Sequence, residues 1–248
     1  MSGHSKWASI KRAKGVTDAK RGQLFTRLSR EITVAAREGA DPAGNSRLRL
    51  AVQRARDANM PLDNIDRAIK RGAGAGEGSN YTEMWYEGYG PGGVAVLVSV
   101  LTDNKNRSAA EVRSTFTRAG GNLGEAGSVR WLFDSRGVIA VESGERDPDD
   151  IALAAIDVGA EDVQTEDGTL DVYTDPGNLE SVRAALESDG LKVLSSESAL
   201  VPKTSIQVDE KTAEQVLRLI DKLEELDDVQ NVYSNLDVSD EVAAALAG

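Results

Sequence analysis

A chain of 248 residues with 40% hydrophobic composition can bury a sizeable core, in one large domain or in two to three small ones. It has no cysteine and one histidine, His4. This excludes disulfides, thiolate metal sites and a cysteine nucleophile, and leaves too little for a Ser-His-Asp triad or a histidine-based zinc site. The net charge of −12 is unevenly spread: residues 1–72 hold 16 Lys and Arg against 7 Asp and Glu, or +9, which leaves −21 for the remainder. Parts of opposite sign suggest two partners, or one polyanionic partner and a part built to avoid it. The start MSGHSKW lacks the apolar core of a secretory signal, and the longest apolar run, Gly93 to Leu101, is strand-sized. A soluble cytoplasmic protein without a membrane partner is expected.

Ser2 to Val16 carries Lys6, Lys11, Arg12 and Lys14 and few apolar side chains. This composition reads as an arm, either a solvated tail or one that orders on phosphates with Trp7 stacking on a base. From Asp18 to Glu38, Leu24, Phe25, Leu28, Ile32, Ala35 and Ala36 recur at helical spacing, with Lys20, Arg27, Arg30 and Arg37 on the far side and Gly39 as the stop. Asn45 can cap a second helix in which Leu48, Ala51, Val52 and Ala55 face the core while Arg47 and Arg54 share a flank. A third helix opens at Asn59-Met60-Pro61 and buries Leu62, Ile65 and Ile69, with Lys70 and Arg71 in its last turn and Gly72 as C-cap. The terminal charges also suit the helix dipole, and the three helices make a small bundle. No helix is marked as one that reads a groove; exposed arginines suit phosphate contacts better than base readout.

Gly72 to Asn80, GAGAGEGSN, reads as a joint; a nucleotide loop would sit between a strand and a helix. Tyr81 to Tyr89 and Val94 to Thr102 read as strands joined by the glycine-rich turn EGYGPGG. A helix from about Ser108 to Ala119 follows, with Ser108 and Glu111 as a capping box. Asn104, Lys105, Asn106, Arg107 and Ser108 crowd its start and are read as a second anion site; the alternative is a capped helix with solvated charges. A strand from Ser128 to Phe133 is expected next. From Gly137 the order strand, helix, strand, strand, helix, strand, ending at Ser198, is the ferredoxin-like arrangement. The tail reads as strand Ser205 to Val208, helix Lys211 to Leu226 with Ala213, Val216, Leu217, Ile220 and Leu223 on one stripe, and strand Val229 to Ser234. Neither this segment nor Val94 to Phe133 can bury its apolar stripe alone, so the two are expected to pair, with Ser135 to Pro202 inserted between them.

The expected class is α+β and multidomain: residues 1–78 a basic helical domain with an N-terminal arm, 79–134 with 203–248 a discontinuous α/β domain, and 135–202 the ferredoxin-like insert. The acidic residues near Asp147 to Asp150 and Glu224 to Asp228 read as helix ends and solvated faces, not metal ligands. Like charge should keep the acidic domains away from phosphates, while basic proteins could approach them.

The segments GHSKWASIKRAKGVTDAKRGQLF, NSRLRLAVQRARDANMPLDNIDRAIKRG, EGYGPGGVAVLVSVLTDNKNRSAAEVR and GGNLGEAGSVRWLF together resemble the YebC family. Its bacterial members are described as probable transcriptional regulators, and mitochondrial relatives as translational activators of cytochrome c oxidase synthesis. The resemblance implies a cytosolic, non-catalytic protein of three domains, one inserted in another, that binds DNA or, in the translational branch, RNA and ribosomes. The positions lying in the family's basic motifs are Lys6, Lys11, Arg12, Lys14, Lys20, Arg21, Arg67, Lys70 and Arg71, with Asn104, Asn106 and Arg107.

The leading expectation is therefore a DNA-binding transcriptional regulator that engages phosphates through these residues together with Arg27, Arg30, Arg47 and Arg54. The alternative within the family is an RNA- or ribosome-binding translational activator, which recognition of shape and backbone would suit physically. A metal-dependent hydrolase or nuclease and a protein-binding adaptor are the competing classes. No catalytic residue, cofactor, metal or small-molecule substrate is expected, and the protein is read as a monomer.

Overall fold

The computed structural model describes residues 18–74, 81–166 and 168–238, and these are α+β. They divide into two compact units, Asp134–Val201 and the rest, in which the chain before the insert meets the chain after it.

In the larger unit, helices α1 (Asp18–Ala35), α2 (Ser46–Asp57) and α3 (Leu62–Ala73) form the bundle. Leu28, Ile32, Ala35 and Ala36 of the first helical segment pack with Leu48, Ala51, Val52 and Ala55 of α2 and Ile65 and Ala68 of α3. The Asn45 carboxamide caps α2 by accepting from Leu48 N at 3.0 Å. Two details of α3 differ from expectation. Leu62 is 64% exposed, and Ala68 provides the buried contact instead. Gly72 is no cap: the helix runs on to Ala73, and a Cβ at Gly72 would lie 2.1 Å from the Thr33 carbonyl oxygen and 2.8 Å from the Ala36 Cβ. Glycine is there because the backbones of α1 and α3 approach too closely for a side chain between them.

The same unit holds strands β1 (Thr82–Tyr89) and β2 (Ala95–Thr102), helix α4 (Lys105–Arg118), strand β3 (Asn122–Leu123), helix α7 (Glu210–Glu224) and strand β9 (Val229–Ser234). The sheet order is β3-β1-β2-β9, with every neighbouring pair antiparallel. One face of this sheet carries Tyr86, Val96, Val98, Val100 and Val232 against Val112 and Phe116 of α4 and the expected stripe of α7. Strand alternation turns Glu83, Trp85, Glu87 and Tyr89 to the other face. The short strand β8 (Ile206–Gln207) pairs in parallel with β10 (Leu236–Asp237), so the strand expected over Ser205 to Val208 is only two residues long.

The strand expected from Ser128 to Phe133 is absent. The chain turns through residues 124–132, and only Phe133 opens β4 (Phe133–Glu142). The reason lies on β1, where the Glu87 carboxylate accepts the backbone N–H groups of Gly127, Val129 and Arg130 at 2.7, 2.7 and 2.8 Å. Those donors are thereby taken from any ladder. In place of a strand over Ser128 to Phe133, the short β3 pairs antiparallel on β1.

In the unit Asp134–Val201, α5 (Pro148–Asp157), β5 (Asp162–Glu166), β6 (Thr169–Thr174), α6 (Leu179–Ser188) and β7 (Lys192–Pro202) follow β4, which begins at Phe133 and β7 ends at Pro202, each one residue past the unit. The sheet order is β5-β6-β4-β7. Ile139, Val141, Ile151, Leu170, Val172, Leu179, Val182 and Leu186 are buried.

Candidate nucleic-acid interface

Helix α1 would expose Arg27 and Arg30 if the bundle stood alone, but the acidic segment after α7 meets them. Arg30 donates to the Asp228 carboxylate at 3.2 Å and to the Asp227 carbonyl oxygen, and its guanidinium lies 5.6 Å from the Tyr81 ring centroid. Burial lowers the pKa of Arg27, opposed by the charges of Glu224 and Asp227. On the other two flanks, Arg54 donates to both Glu31 carboxylate oxygens at 3.0 and 3.1 Å, and Arg47 pairs with Glu83 on β1 and lies 3.7 Å from Glu38. Arginines at Arg30, Arg47 and Arg54, expected to face a polyanion, thus hold carboxylates of their own chain. Helical spacing shows which side of a helix is polar but not what meets it, and partners such as Asp228 lie far along the chain.

The second expected anion site has the same occupant. The N-cap of α4 is Asn104, whose side chain accepts from Arg107 N at 3.1 Å; Ser108, expected as the cap, lies inside the helix and is buried. Its hydroxyl donates to Asp228 at 2.7 Å, to the same oxygen that accepts from Arg107 at 2.7 Å and from the Thr102 hydroxyl at 3.0 Å. Asp228 is 3% exposed. Burial alone would raise its pKa, but the hydrogen bonds from Arg107, Ser108 and Thr102 outweigh it and hold the carboxyl below its ordinary range. Lys105 and Asn106 beside this network are exposed.

The remaining cations are placed differently. Arg67, Lys70 and Arg71 are exposed at spacings of three and four on α3, which puts them on one face, and none forms an ion pair among the described residues. Arg67 donates to the Asp63 carbonyl oxygen at 3.1 Å and to the Asn64 side chain. Arg21 is exposed in the first turns of α1, and Lys20 precedes it in the same helix. Lys6, Lys11, Arg12 and Lys14 of the arm, and its Trp7, lie outside the described residues, as does most of the glycine joint.

The Glu87-held loop was not marked by sequence reasoning. Trp85 on β1 is 44% exposed and stacks on Tyr233 of β9, with centroids 6.3 Å apart and planes at 25°. The Arg130 guanidinium lies over the Trp85 ring at 5.7 Å from its centroid. Trp131 is 65% exposed, and its indole N–H donates to the Ser128 carbonyl oxygen at 3.1 Å, as does the Tyr89 hydroxyl at 3.0 Å. The available signal was the pair Arg130-Trp131 after a glycine turn, in a chain with only three tryptophans. Among the described residues there is no group of three or more His, Cys, Asp or Glu side chains placed to hold a metal ion, and no helix is long and apolar enough to cross a membrane.

Residues 5–75 match the TACO1/YebC protein N-terminal domain, and residues 81–236 match the TACO1/YebC second and third domain. A probable transcriptional regulatory protein of Dehalococcoides mccartyi is 56% identical over 243 residues, covering 98% of this chain and 97% of the relative. One from Roseiflexus castenholzii is 55% identical over 249 residues, covering 98% of each chain. The crystal structure of a conserved hypothetical protein, Aq1575 from Aquifex aeolicus, superposes with a TM-score of 0.83 at 47% identity, covering 90% of this chain and 93% of that one.

Proposed function

The chain belongs to the TACO1/YebC family, and on that premise we propose that it is a DNA-binding transcriptional regulator, a binding protein and not an enzyme, that works in the cytoplasm by gripping a phosphate backbone. The relatives' names support the regulatory role. The observation that carries the phosphate grip is the exposed face of α3, where Arg67, Lys70 and Arg71 meet no carboxylate among the described residues while Arg30, Arg47 and Arg54 each do. Arg21 and the basic residues of the arm add to the positive charge of the first 72 residues. We read three domains along the chain, 1–78, 79–134 with 203–248, and a ferredoxin-like 135–202, of which the first grips the phosphates.

Binding of duplex DNA measured against salt concentration tests this. Each phosphate contact contributes about 0.9 to the slope of log affinity against log salt, so neutralising all three as R67Q/K70Q/R71Q should flatten the slope by up to about 3. An unchanged slope with unchanged affinity would remove α3 from the interface.

A further inference from the structure

The loop over residues 124–132 carries exposed groups that the phosphate reading leaves unused. Glu87 is buried on β1, and its carboxylate holds three consecutive-turn N–H groups of this loop, while the Glu87 carbonyl oxygen accepts a fourth from Gly124 at 2.7 Å. Burial would raise the Glu87 pKa, but the N–H groups of Gly127, Val129 and Arg130, with the Arg130 charge, lower it below the usual carboxylate range. The tip of the loop is thus fixed by an ionised group at neutral pH. What that rigid loop presents is unusual in kind. Its large exposed side chains are the Glu125 carboxylate, the Arg130 guanidinium lying over the half-exposed Trp85, and the Trp131 indole. The aliphatic neighbour Val129 is fully buried, and the large exposed aliphatic side chains, among them Leu62 and Leu153, belong to other elements.

The indole of Trp131 is not exposed to satisfy its N–H, because the Ser128 carbonyl oxygen already accepts it. What is left open is the π face. Flat cations and indole rings held in place suit flat, electron-rich ligands, and nucleobases stack on both aromatic rings and arginine planes with little regard to sequence. A docking protein would be expected to find exposed aliphatic side chains as well as rings, and this loop offers only the half-buried Leu132.

We propose that the Glu87-held loop is a base-stacking platform, in which Trp131 and the Arg130 guanidinium on Trp85 receive unpaired bases of single-stranded DNA. This deepens the nucleic-acid reading above and rests on it: α3 would hold phosphates, and the loop would hold bases where the duplex is opened. Glu87 acts as a positioning residue.

The test uses the full chain and two fluorescent oligomers of about 12 nucleotides, within the span one binding domain covers: oligo-dT, and an abasic strand with the same phosphates and no bases. Polarisation is read for the wild type, W131L, R130K and R67Q/K70Q/R71Q. Trp131 is exposed, so W131L should leave the melting temperature unchanged, which is checked first. Stacking predicts that W131L weakens oligo-dT roughly 5- to 150-fold. R130K, which keeps the charge and loses the plane, weakens it less, and neither change moves the abasic strand. The α3 variant should weaken both strands alike. Equal losses on the two strands with W131L, or no loss on oligo-dT, overturn the platform while leaving the phosphate reading to the α3 result. Absence of binding by the wild type to either strand overturns both. Tighter binding of an oligo-U strand than of oligo-dT overturns the assignment to DNA.

Discussion

Replacing Asp228 with asparagine isolates the network that joins α1 to the sheet. In the native protein one carboxylate oxygen accepts from Arg107, Ser108 and Thr102, and the other from Arg30. The exposed Arg107 can turn to water, so it adds little to the cost. Ser108 and Thr102 cannot, since both hydroxyls sit on residues about 1% exposed or less. A buried hydroxyl left without its acceptor costs about 1–3 kcal/mol; Ser108 keeps the Asn104 carbonyl oxygen at 3.2 Å, so this cost falls on Thr102, whose need an asparagine carbonyl serves only in part. Arg30, whose side chain is 18% exposed, loses its compensating charge. Taken with the outcome of removing one partner from other buried ion pairs, the loss should be about 3–5 kcal/mol. Urea unfolding should show this as an earlier transition for the larger unit. Amide exchange should localise it, with faster exchange over α1 and α4 and none over β5 and β6. A variant unfolding within about 1 kcal/mol of the wild type would refute the reasoning, because it would mean that the network is a surface pair in energetic terms.

Two further outcomes follow from the geometry. G72A, which on helix propensity alone should stabilise α3 by about 1 kcal/mol, should instead destabilise by about 1–3 kcal/mol, because the new methyl meets the Thr33 carbonyl; a urea midpoint above the wild type would contradict this. The folded pKa values of Asp228 and Glu87 are both depressed, so their contribution to stability is complete above the unfolded values of about 3.9 and 4.3 and is lost as pH falls through the lower folded ones. Unfolding midpoints taken from pH 7 to pH 2 should therefore hold down to about 4 and then drop, and the drop should be shallower in D228N.

Where local chemistry decides structure, the sequence was enough. Asn45 caps α2 because a short carboxamide just before an apolar period has few other uses, and the α7 stripe from Ala213 to Leu223 is buried as its spacing demands. The differences between pattern and structure share one cause. Ser108 has the signature of a capping residue, yet its hydroxyl goes to a carboxylate 120 positions later. Ser128 to Phe133 has strand-like composition, but Glu87 withdraws its N–H groups. Arg30 and Arg54 look like a ligand-facing surface until Asp228 and Glu31 are placed beside them. In each case a distant or non-local acceptor outcompetes the local pattern, and hydrophobic periodicity carries no information about where acceptors will arrive. The candidate site was therefore legible as a region of charge, but its division into fold-holding and outward-facing cations was not, and the loop of Arg130 and Trp131 was passed over because single aromatic residues have no period.

The Arg30 to Asp228 contact spans 198 positions of chain. At a synthesis rate of about 5–20 residues per second, the basic helices emerge about 10 to 40 s before the carboxylate that restrains them. Over that interval Arg30 has water or a foreign anion for company, and β2 lacks β9 along one edge. Completion of the larger unit is thus timed by residues 228–234, so a product truncated before them would be left with an Arg30 that has no carboxylate and a sheet with an open border.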